Sequence, residues 1–532
     1  MPITIYAVCV IFAFGVTVAL VLQIYLGESL VKGVLVSDHE LCTTLGQRVI
    51  CDGGSSVDAA IAGALCLGIV HPHVSGVGGG GVMLVHNIKM NETRVIDFQG
   101  AAPQRYREEV KTNSSELKAG LQVGVPGMLL GLHRAHSLYG SLSWEDVISR
   151  AADVATEGFN VSFSLSDAIS KVKGEQLSQR FRDMFVPEGQ ALHPGSYVRM
   201  PGLAQVLRAG LFNFYHGNLS QEMEDEVQAN GGVLSRDDIS NYSVEVEQPL
   251  EGLYNEFIIQ VPPPSAGALL MSALNILESF HLKDNITKYQ THHLTEALKA
   301  ALDVAIGLGD PKYDSSETDM LSKSQDEVLQ QTMNYSHTSP SEHYSMFPSF
   351  QAELMVGQVI VIGPDNLMVS VASSLSRPFG SRILTQSGIL LNSLLRDVSW
   401  PQNTRGQIHT HQRKSVATEK RPLFFLMPTM MLPAGDKHKI YMALSSSAGQ
   451  IILSAISQLL NGTLLVHNVT RDSHSSPRLL IDSKFPEEIV QPLHDNSHIV
   501  QKLKTLSSVQ GIRRNRNIIK AINIRQLFDN IL

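Results

Sequence analysis

The sequence predicts a mixed α/β fold behind an N-terminal transmembrane helix, and three stretches support that prediction. Residues 356–362 and 367–373 are β-rich runs joined by the turn-forming residues 363–366, which is typical of a hairpin. Residues 56–69 place small and apolar side chains at helical spacing, which predicts a closely packed helix. Residues 3–26 form a run of 24 residues without a formal charge, which is long enough to cross a bilayer as a helix.

The N-terminal apolar run is predicted to be an uncleaved signal anchor. As a helix it would be about 36 Å long, against a hydrocarbon core of about 30 Å. The alternative, a cleaved signal peptide, needs an early basic residue and small residues before the cut, but no Lys or Arg precedes Lys32 and residues 22–26 are bulky. The uncharged flank cannot orient the helix, and it leads us to expect further cytosolic residues ahead of this sequence.

Helices and strands alternate along the rest of the chain, as in α/β proteins. The predicted helices are residues 42–50, 56–69, 126–136, 143–156, 292–308 and 450–460. The predicted strands are residues 82–86, 93–98, 356–362, 367–373 and 439–444. Residues 312–349 are polar and are predicted to be a linker, and residues 405–420 lack periodicity and are predicted to be a loop.

The charge composition argues against a nucleic-acid partner. The 532 residues include 42 basic and 50 acidic side chains, for a net charge of −8. No stripe of Lys or Arg interleaved with aromatic residues is present, so a nucleic-acid-binding role is not supported. Arg513, Arg514 and Arg516 are predicted to lie in a solvated turn near the C-terminus.

Glycosylation signals are frequent and metal-binding patterns are absent from the sequence. The pairs His71/His73 and His409/His411 lack further ligands at metal spacing, so we predict surface or supporting histidines and neither a metal nor a cofactor. Cys51 is predicted to be a small buried apolar residue. Asn-x-Ser/Thr sequons, which fit a lumenal or extracellular body, occur at Asn91, Asn113, Asn160, Asn218, Asn241, Asn285, Asn334, Asn461 and Asn468.

Eight ordered blocks between about residues 40 and 500 carry a family resemblance. They are residues 53–60, 71–80, 125–127, 158–161, 231–235, 262–265, 308–311 and 356–400. Together they resemble the γ-glutamyltransferases, also called glutathione hydrolases, and one glycine-rich block alone would be weak evidence. The run 78–86 and residues 390–393 resemble in particular the vertebrate type-seven members of that family.

The resemblance implies a fold and a domain organisation. The fold would be the four-layer αββα sandwich of N-terminal-nucleophile hydrolases, with residues 1–32 as N-terminus and anchor. Residues 33–355 would match the large subunit and residues 356–532 the small subunit, packed as one globular ectodomain. The implied topology is a single-pass type II membrane protein with its ectodomain in the secretory lumen or outside the cell. The spacing of Cys42 and Cys66 matches a family disulfide, which would contribute roughly 3 kcal/mol.

The residue implied as catalytic is missing. In the family a threonine begins the small subunit, attacks the preceding peptide bond and then uses its freed amine as general base. That position is Val356, and the family histidine two residues later is Gln358. A shift of register does not restore a nucleophile, because residues 350–369 contain no Ser, Thr or Cys.

Several positions implied to bind the γ-glutamyl group are also replaced. The arginine that clamps the α-carboxylate matches Gln99, and the acid that holds the amine matches Leu394. The other implied positions are Phe424 and Phe425 in place of two serines, the retained Asp397 and Ser374, and Ser447-Ala448 or Ala448-Gly449 in place of the oxyanion-hole glycines.

These departures leave three functions open. The first is a pseudoenzyme, unprocessed and membrane-anchored, which acts by binding. The second is an active enzyme that cleaves the γ-glutamyl bond of glutathione and its conjugates, by hydrolysis or transfer, with Ser374 as an alternative nucleophile. It would take a glutathione-like ligand only if the pocket is competent. The third is a protein partner, for example in a heteromer with an active relative.

Overall fold

The computed structural model contains two six-stranded sheets and ten α-helices among the residues that it describes. These are residues 33–106, 118–175, 177–254, 256–263, 267, 270–271, 274–275, 355–396, 426–435, 440–446, 467–470, 478–482, 491, 499–503, 509–516 and 518–523. Within this part of the chain no helix is both long and apolar enough to cross a membrane, and the predicted anchor lies outside it.

The ten helices whose bounds fall within the described residues end before residue 241. They are α1 (Glu40–Cys51), α2 (Ser56–Val70), α3 (Met128–Tyr139), α4 (Trp144–Glu157), α5 (Phe163–Val172), α6 (Gln179–Phe185), α7 (Pro201–Arg208), α8 (Gly210–His216), α9 (Asn218–Ala229) and α10 (Arg236–Ser240). Two short 3-10 helices cover Ala119–Gln122 and Pro187–Gly189.

The strands come from both halves. They are β1 (Val34–Ser37), β2 (Gly80–Asn87), β3 (Glu92–Asp97), β4 (Phe159–Asn160), β5 (Tyr197–Val198), β6 (Glu245–Glu247), β7 (Leu250–Tyr254), β8 (Phe257–Val261), β9 (Met355–Ile362), β10 (Leu367–Ser376), β11 (Thr429–Pro433), β12 (Ile440–Ser446), β13 (His467–Thr470), β14 (Arg478–Asp482), β15 (Ile499–Leu503), β16 (Val509–Asn515) and β17 (Ile518–Asn523).

The β9–β10 hairpin is built into the middle of the first sheet. The strand order is β1-β9-β10-β2-β3-β6, so the hairpin lies between two strands from the first 90 residues. Val34 pairs with Ile362 on one side of the hairpin, and Ser374 pairs with Gly80 on the other. The second sheet has the order β17-β16-β12-β11-β8-β7 and also combines strands from both halves. Smaller sheets contain β13-β14-β15 and β4-β5.

Alternation along β9 separates two apolar layers. Val359 and Val361 belong to the layer shared with α2, where Val359 packs on Gly63. Val356 and Ile360 belong to the layer between the two sheets. Because successive side chains of a strand point to opposite faces, one strand serves both layers. Helices, first sheet and second sheet therefore form consecutive layers in the described part of the chain.

Most predicted elements in the described ranges are confirmed, with ends shifted by one to three residues. The helix predicted at 42–50 begins earlier, at Glu40, because the His39 side chain accepts a hydrogen bond from the Leu41 N–H and caps it. Helices α5 to α10 and the strands β1, β4 to β8, β11 and β13 to β17 were not predicted. The predicted elements at 292–308, 312–349, 405–420 and 450–460 lie outside the described residues.

Two of the sequence predictions are wrong, and one implied bond is present. Cys51 is exposed, because it ends α1 beyond the buried face formed by Cys42, Val49 and Ile50. Arg513 and Arg514 lie in β16 and not in the predicted turn; Arg514 is buried on the same face as Ile512, whereas Arg513 and Arg516 are exposed. Cys42 and Cys66 form a disulfide that joins α1 to α2.

Candidate functional site

The position of the family nucleophile lies inside an apolar layer. Val356 is the second residue of β9, and 1% of its surface is exposed. It belongs to a buried cluster between the sheets that also contains Leu394, Leu426 and Met427. A β-branched side chain suits a buried strand, so valine maintains the backbone here without providing an oxygen.

The hydroxyl of Ser374 forms hydrogen bonds with two backbone groups. Its Oγ donates to the carbonyl oxygen of Met355 at 2.5 Å and accepts from the N–H of Ser376 at 2.8 Å. Ser376 has a φ of 77°, and the β9–β10 register shifts between Ser373 and Ser376, as in a bulge. No histidine or carboxylate among the described residues is bonded to Ser374, so its proton has no general base there.

Gln358, at the family histidine position, binds a carboxylate at the end of β1. Its backbone N–H donates to Asp38 Oδ2 at 2.9 Å, and its Nε2 lies 3.3 Å from Asp38 Oδ1. Gln510 reaches the same oxygen through its Nε2 at 3.2 Å. Burial raises the pKa of Asp38 to about 7, because its effect is larger than that of the hydrogen bond from the Gln358 N–H, which lowers the pKa.

A row of buried histidines lies beside this end of β1. The rings of His39 and His71, and those of His71 and His73, meet edge to face with centroids 5.0 Å apart. Burial lowers the pKa of His71 to about 3 and that of His73 well below its usual value, so both are neutral. Their Nε2 atoms lie 3.0 Å from the hydroxyls of Ser162 and Ser164. These are buried supporting histidines and not surface ones.

The two described positions implied to grip a γ-glutamyl group are buried and carry no charge. Gln99 is bound through its backbone, with its N–H donating to Asp97 Oδ1 at 2.9 Å and its carbonyl accepting from the Tyr242 hydroxyl at 2.7 Å. Its side-chain oxygen is buried without a partner. Leu394 packs on Gly100, where an added Cβ would lie 2.4 Å from its Cδ1. A neutral amide and an alkyl group cannot replace a guanidinium and a carboxylate.

Family residues that remain make structural hydrogen bonds. Asn392 donates from its Nδ2 to the carbonyls of Gly78 at 2.7 Å and Gly124 at 2.9 Å, and its Oδ1 accepts from the Gly124 N–H at 2.9 Å. Asp365, in the β9–β10 turn, accepts from the N–H of Ser56 at 2.7 Å and from its hydroxyl at 2.6 Å. These bonds join distant segments and require no substrate.

The remaining predicted site residues fall into two groups. Asp397, Phe424, Phe425, Ser447, Ala448 and Gly449 lie outside the described residues, as do the sequons at Asn113, Asn285, Asn334 and Asn461. Asn468 lies in β13, and the sequons at Asn91, Asn160, Asn218 and Asn241 are exposed. Within the described ranges, no group of three or more His, Cys, Asp or Glu residues could hold a metal ion.

Sequence reasoning overlooked Asp38 and misplaced Arg514, two charged residues of the layer between the sheets. Asp38 directly follows a short β-rich run and precedes α1, and this strand-to-helix junction is a signal that could have identified it. Arg514 shares one face of β16 with Gln510 and the buried Ile512, but the adjacent exposed Arg513 and Arg516 obscured that alternation.

The comparisons with known proteins agree with this architecture. The Gamma-glutamyltranspeptidase family matches residues 42–523. Human glutathione hydrolase 7 is 44% identical over 97% of this chain and 81% of its own length. Glutathione hydrolase 2 of Arabidopsis thaliana is 30% identical over 90% of this chain and 86% of its own length.

A solved structure extends the agreement to the fold. The cephalosporin acylase of Bacillus halodurans superposes with a TM-score of 0.79, covering 92% of this chain and 93% of the acylase at 21% identity. At that identity the likeness concerns the fold alone. The chain belongs to the γ-glutamyltransferase (glutathione hydrolase) family.

Proposed function

We propose that this chain is an unprocessed, catalytically impaired member of its family that acts by binding. The observation that carries the proposal is the buried Val356 at the position of the family nucleophile, in an apolar layer without a hydroxyl of its own. Self-cleavage and acyl transfer both begin with attack by that hydroxyl. Removing a nucleophile typically lowers turnover by about 10⁶-fold.

The neighbouring hydroxyl supports the same conclusion. Ser374 is buried and donates to the carbonyl oxygen of Met355, so its own oxygen faces the wrong atom for attack on the carbonyl carbon. The bond from the Ser376 N–H uses an acceptor lone pair that an attacking oxygen would need. Ser374 therefore supports the β9–β10 bulge and does not replace the missing threonine.

Loss of substrate recognition accompanies the loss of the nucleophile. Gln99 and Leu394 provide neither a cation for an α-carboxylate nor an anion for an α-amine. A site without those charges loses ground-state binding as well as catalysis. We propose that a γ-glutamyl group is not the ligand of this pocket, and that a protein partner, including a heteromer with an active relative, is what the ectodomain binds.

We propose that residues 3–26 anchor the chain in a membrane as a type II protein. Residues 33–355 and 356–532 then remain joined as one ectodomain in the secretory lumen or outside the cell. The Cys42–Cys66 disulfide supports an oxidising compartment, and the exposed sequon asparagines at 91, 160, 218 and 241 support a glycosylated surface.

The second candidate is an active glutathione hydrolase or γ-glutamyltransferase. The names of its relatives favour it, since human glutathione hydrolase 7 is 44% identical to this chain. This candidate requires a nucleophile other than residue 356, and it predicts that the purified protein turns over a γ-glutamyl substrate.

A direct test compares the full chain with two variants, Val356→Thr and Val356→Ala. Each protein is run on a denaturing gel and assayed with a γ-glutamyl anilide, beside a competent relative as positive control. We expect one intact chain without anilide turnover in all three, because Val356→Thr restores the hydroxyl but not the charges at positions 99 and 394. Two fragments meeting between Met355 and Val356, together with turnover by the unaltered chain, would overturn the proposal.

A further inference from the structure

The hairpin of β16 and β17 carries an exposed apolar residue among exposed cations. Ile518, the first residue of β17, is 62% exposed. Arg513, Arg516 and Lys520 are also exposed on the two strands and their turn. An apolar side chain flanked by basic residues at a hairpin tip is the composition of a membrane-contacting surface.

The positive charges of this hairpin are not neutralised within the described part of the chain. Arg513 and Lys520 are directly opposite each other across the two strands, an arrangement of like charges that destabilises a sheet. None of Arg513, Arg516 and Lys520 forms an ion pair with a carboxylate of the described residues. Asp365, the carboxylate of the adjoining β9–β10 turn, is engaged by Ser56.

The buried arginine of the hairpin adds to that charge. Arg514 is 9% exposed, and its Nη1 has no hydrogen-bond partner. Its Nη2 donates to Asn366 Oδ1 at 3.0 Å, and its Nε donates to the carbonyl of Arg516 at 3.0 Å. These neutral partners fix the turn without compensating the guanidinium charge. The tip therefore presents a local excess of positive charge.

The hairpin tip and the start of the described chain lie at the same end of the molecule. Gly33 lies against the β9–β10 turn, since an added Cβ would be 3.0 Å from Pro364 Cδ. The same turn contains Asn366, which binds Arg514 near the tip. At the opposite end of β1, Asp38 binds Gln510 near the start of β16. β16 thus runs alongside β1 toward the point where residue 32 joins.

The length of chain ahead of Gly33 keeps this end near the proposed membrane. Six residues, 27–32, separate the predicted span from Gly33. At about 3.5 Å for each extended residue they reach about 20 Å at most. The end of the molecule that carries the tip therefore stays within about that distance of the bilayer surface.

We propose that the β16–β17 tip rests on the phospholipid surface that holds the anchor, with Ile518 entering the headgroup boundary and Arg513, Arg516 and Lys520 binding lipid phosphates. This inference rests on the proposed membrane anchoring. The partner is a phospholipid surface, since its phosphate oxygens accept charge-assisted hydrogen bonds from Arg and Lys side chains. Contact at two places, anchor and tip, would fix the orientation of the ectodomain relative to the membrane.

The test uses the full chain reconstituted in vesicles that contain brominated phospholipid, which quenches nearby indoles. Ile518→Trp is compared with Phe163→Trp, and the unaltered chain with Trp144 and Trp400 gives the baseline. Phe163 is 83% exposed and follows Ser162, which binds His71 at the C-terminal end of α2. Ser56, at the N-terminal end of α2, binds the β9–β10 turn. The 15 residues of α2 separate the two ends by about 22 Å.

We expect the indole introduced by Ile518→Trp to lose about half of its emission and the one introduced by Phe163→Trp to lose almost none, given a shallow insertion of 5–10 Å. Adding Arg513→Gln and Lys520→Gln should reduce the quenching, more strongly in vesicles with phosphatidylserine than in neutral ones. Equal quenching for Ile518→Trp and Phe163→Trp in chains that resist alkaline carbonate extraction would overturn the tip contact while leaving the anchor intact. Release of the chain by carbonate would overturn both.

Discussion

The two ends of strand β9 make different kinds of contact. At the turn end, Asp365 accepts hydrogen bonds from both the N–H and the hydroxyl of Ser56 at the start of α2. At the starting end, Val356 lies where the family resemblance places a nucleophile, and it packs in the same apolar cluster as Leu394. Polar bonds between distant segments hold one end of the hairpin, and apolar packing between the sheets holds the other.

Asn392→Ala tests the polar bonds that join distant segments, and it should have the largest effect on stability. Asn392 is fully buried and makes hydrogen bonds to Gly78 and to both backbone groups of Gly124. Removing it leaves these groups unsatisfied, so we expect a loss of about 4 kcal/mol in the free energy of unfolding. Chemical denaturation measures it, with the exposed Asn230→Ala as control. An effect no larger than that of the control would contradict a structural role.

Asp365→Ala should cost about 2 to 3 kcal/mol, because the Ser56 N–H at the start of α2 loses a charged acceptor. Asp365→Asn keeps an acceptor and should recover about half of that loss. Thermal and denaturant unfolding measure both. If the asparagine variant is as unstable as the alanine variant, the charge itself and not the hydrogen bonds holds the turn.

A pH titration tests Asp38, the carboxylate that binds Gln358 near the start of β9. The pKa of Asp38 is raised to about 7 from 3.8. Between these pH values the folded chain holds a proton that the unfolded chain has released, so the contribution of Asp38 to stability falls as the pH rises toward 7. The neutral His71 and His73 act in the opposite direction below pH 6.5, so only a difference between variants isolates Asp38.

Asp38→Asn removes this titration and should abolish a loss of about 2 kcal/mol in unfolding free energy between pH 5 and 8, after allowance for the partly exposed side chain. The measurement is denaturant unfolding at several pH values for the parent and the variant. Asp153→Asn, which alters an exposed carboxylate paired with Arg208, is the matched control. Parallel stability curves for the parent and Asp38→Asn would exclude a raised pKa.

Val356→Thr should have the smallest effect on stability, a loss of about 1 to 2 kcal/mol, because it places a hydroxyl in an apolar layer. Val359→Thr makes the same change on the helix-facing side of β9 and serves as control. If Val356→Thr is neutral or stabilising while Val359→Thr is not, a partner for the hydroxyl survives at the family position. That result would weaken the contrast between the two ends of β9.

Sequence patterns predicted the parts of the fold with strong local signals. The β9–β10 hairpin was predictable from two branched runs around a turn, and α2 from the spacing of its small residues. Of the second sheet, β12 was predicted and the other strands were missed. β7 and β8 are five residues each, and β16 alternates buried Ile512 with exposed Arg513 in a segment that otherwise resembles a charged turn. Burial of Arg514 and exposure of Cys51 depend on neighbours distant in sequence.

The site was predictable only as a set of positions. Family resemblance located Val356, Gln99 and Leu394, but it could not show that Ser374 donates to the Met355 carbonyl or that Asp38 binds Gln358. Those contacts depend on the bulge after Ser373, which has no distinctive sequence pattern, and on the junction between β1 and α1, whose pattern does not reveal the partner of Asp38.

The insertion of the β9–β10 hairpin between β1 and β2 has a consequence for biosynthesis. Ser56 and Asp365 are in contact although they are 309 residues apart in the chain. During translation β1 and β2 are complete long before their shared neighbours emerge, so their edges stay open to wrong pairing until the second half arrives. Folding of such long-range contacts is slow. The nascent first half should therefore depend on chaperones, and truncation before residue 355 should yield aggregates and not a stable subdomain.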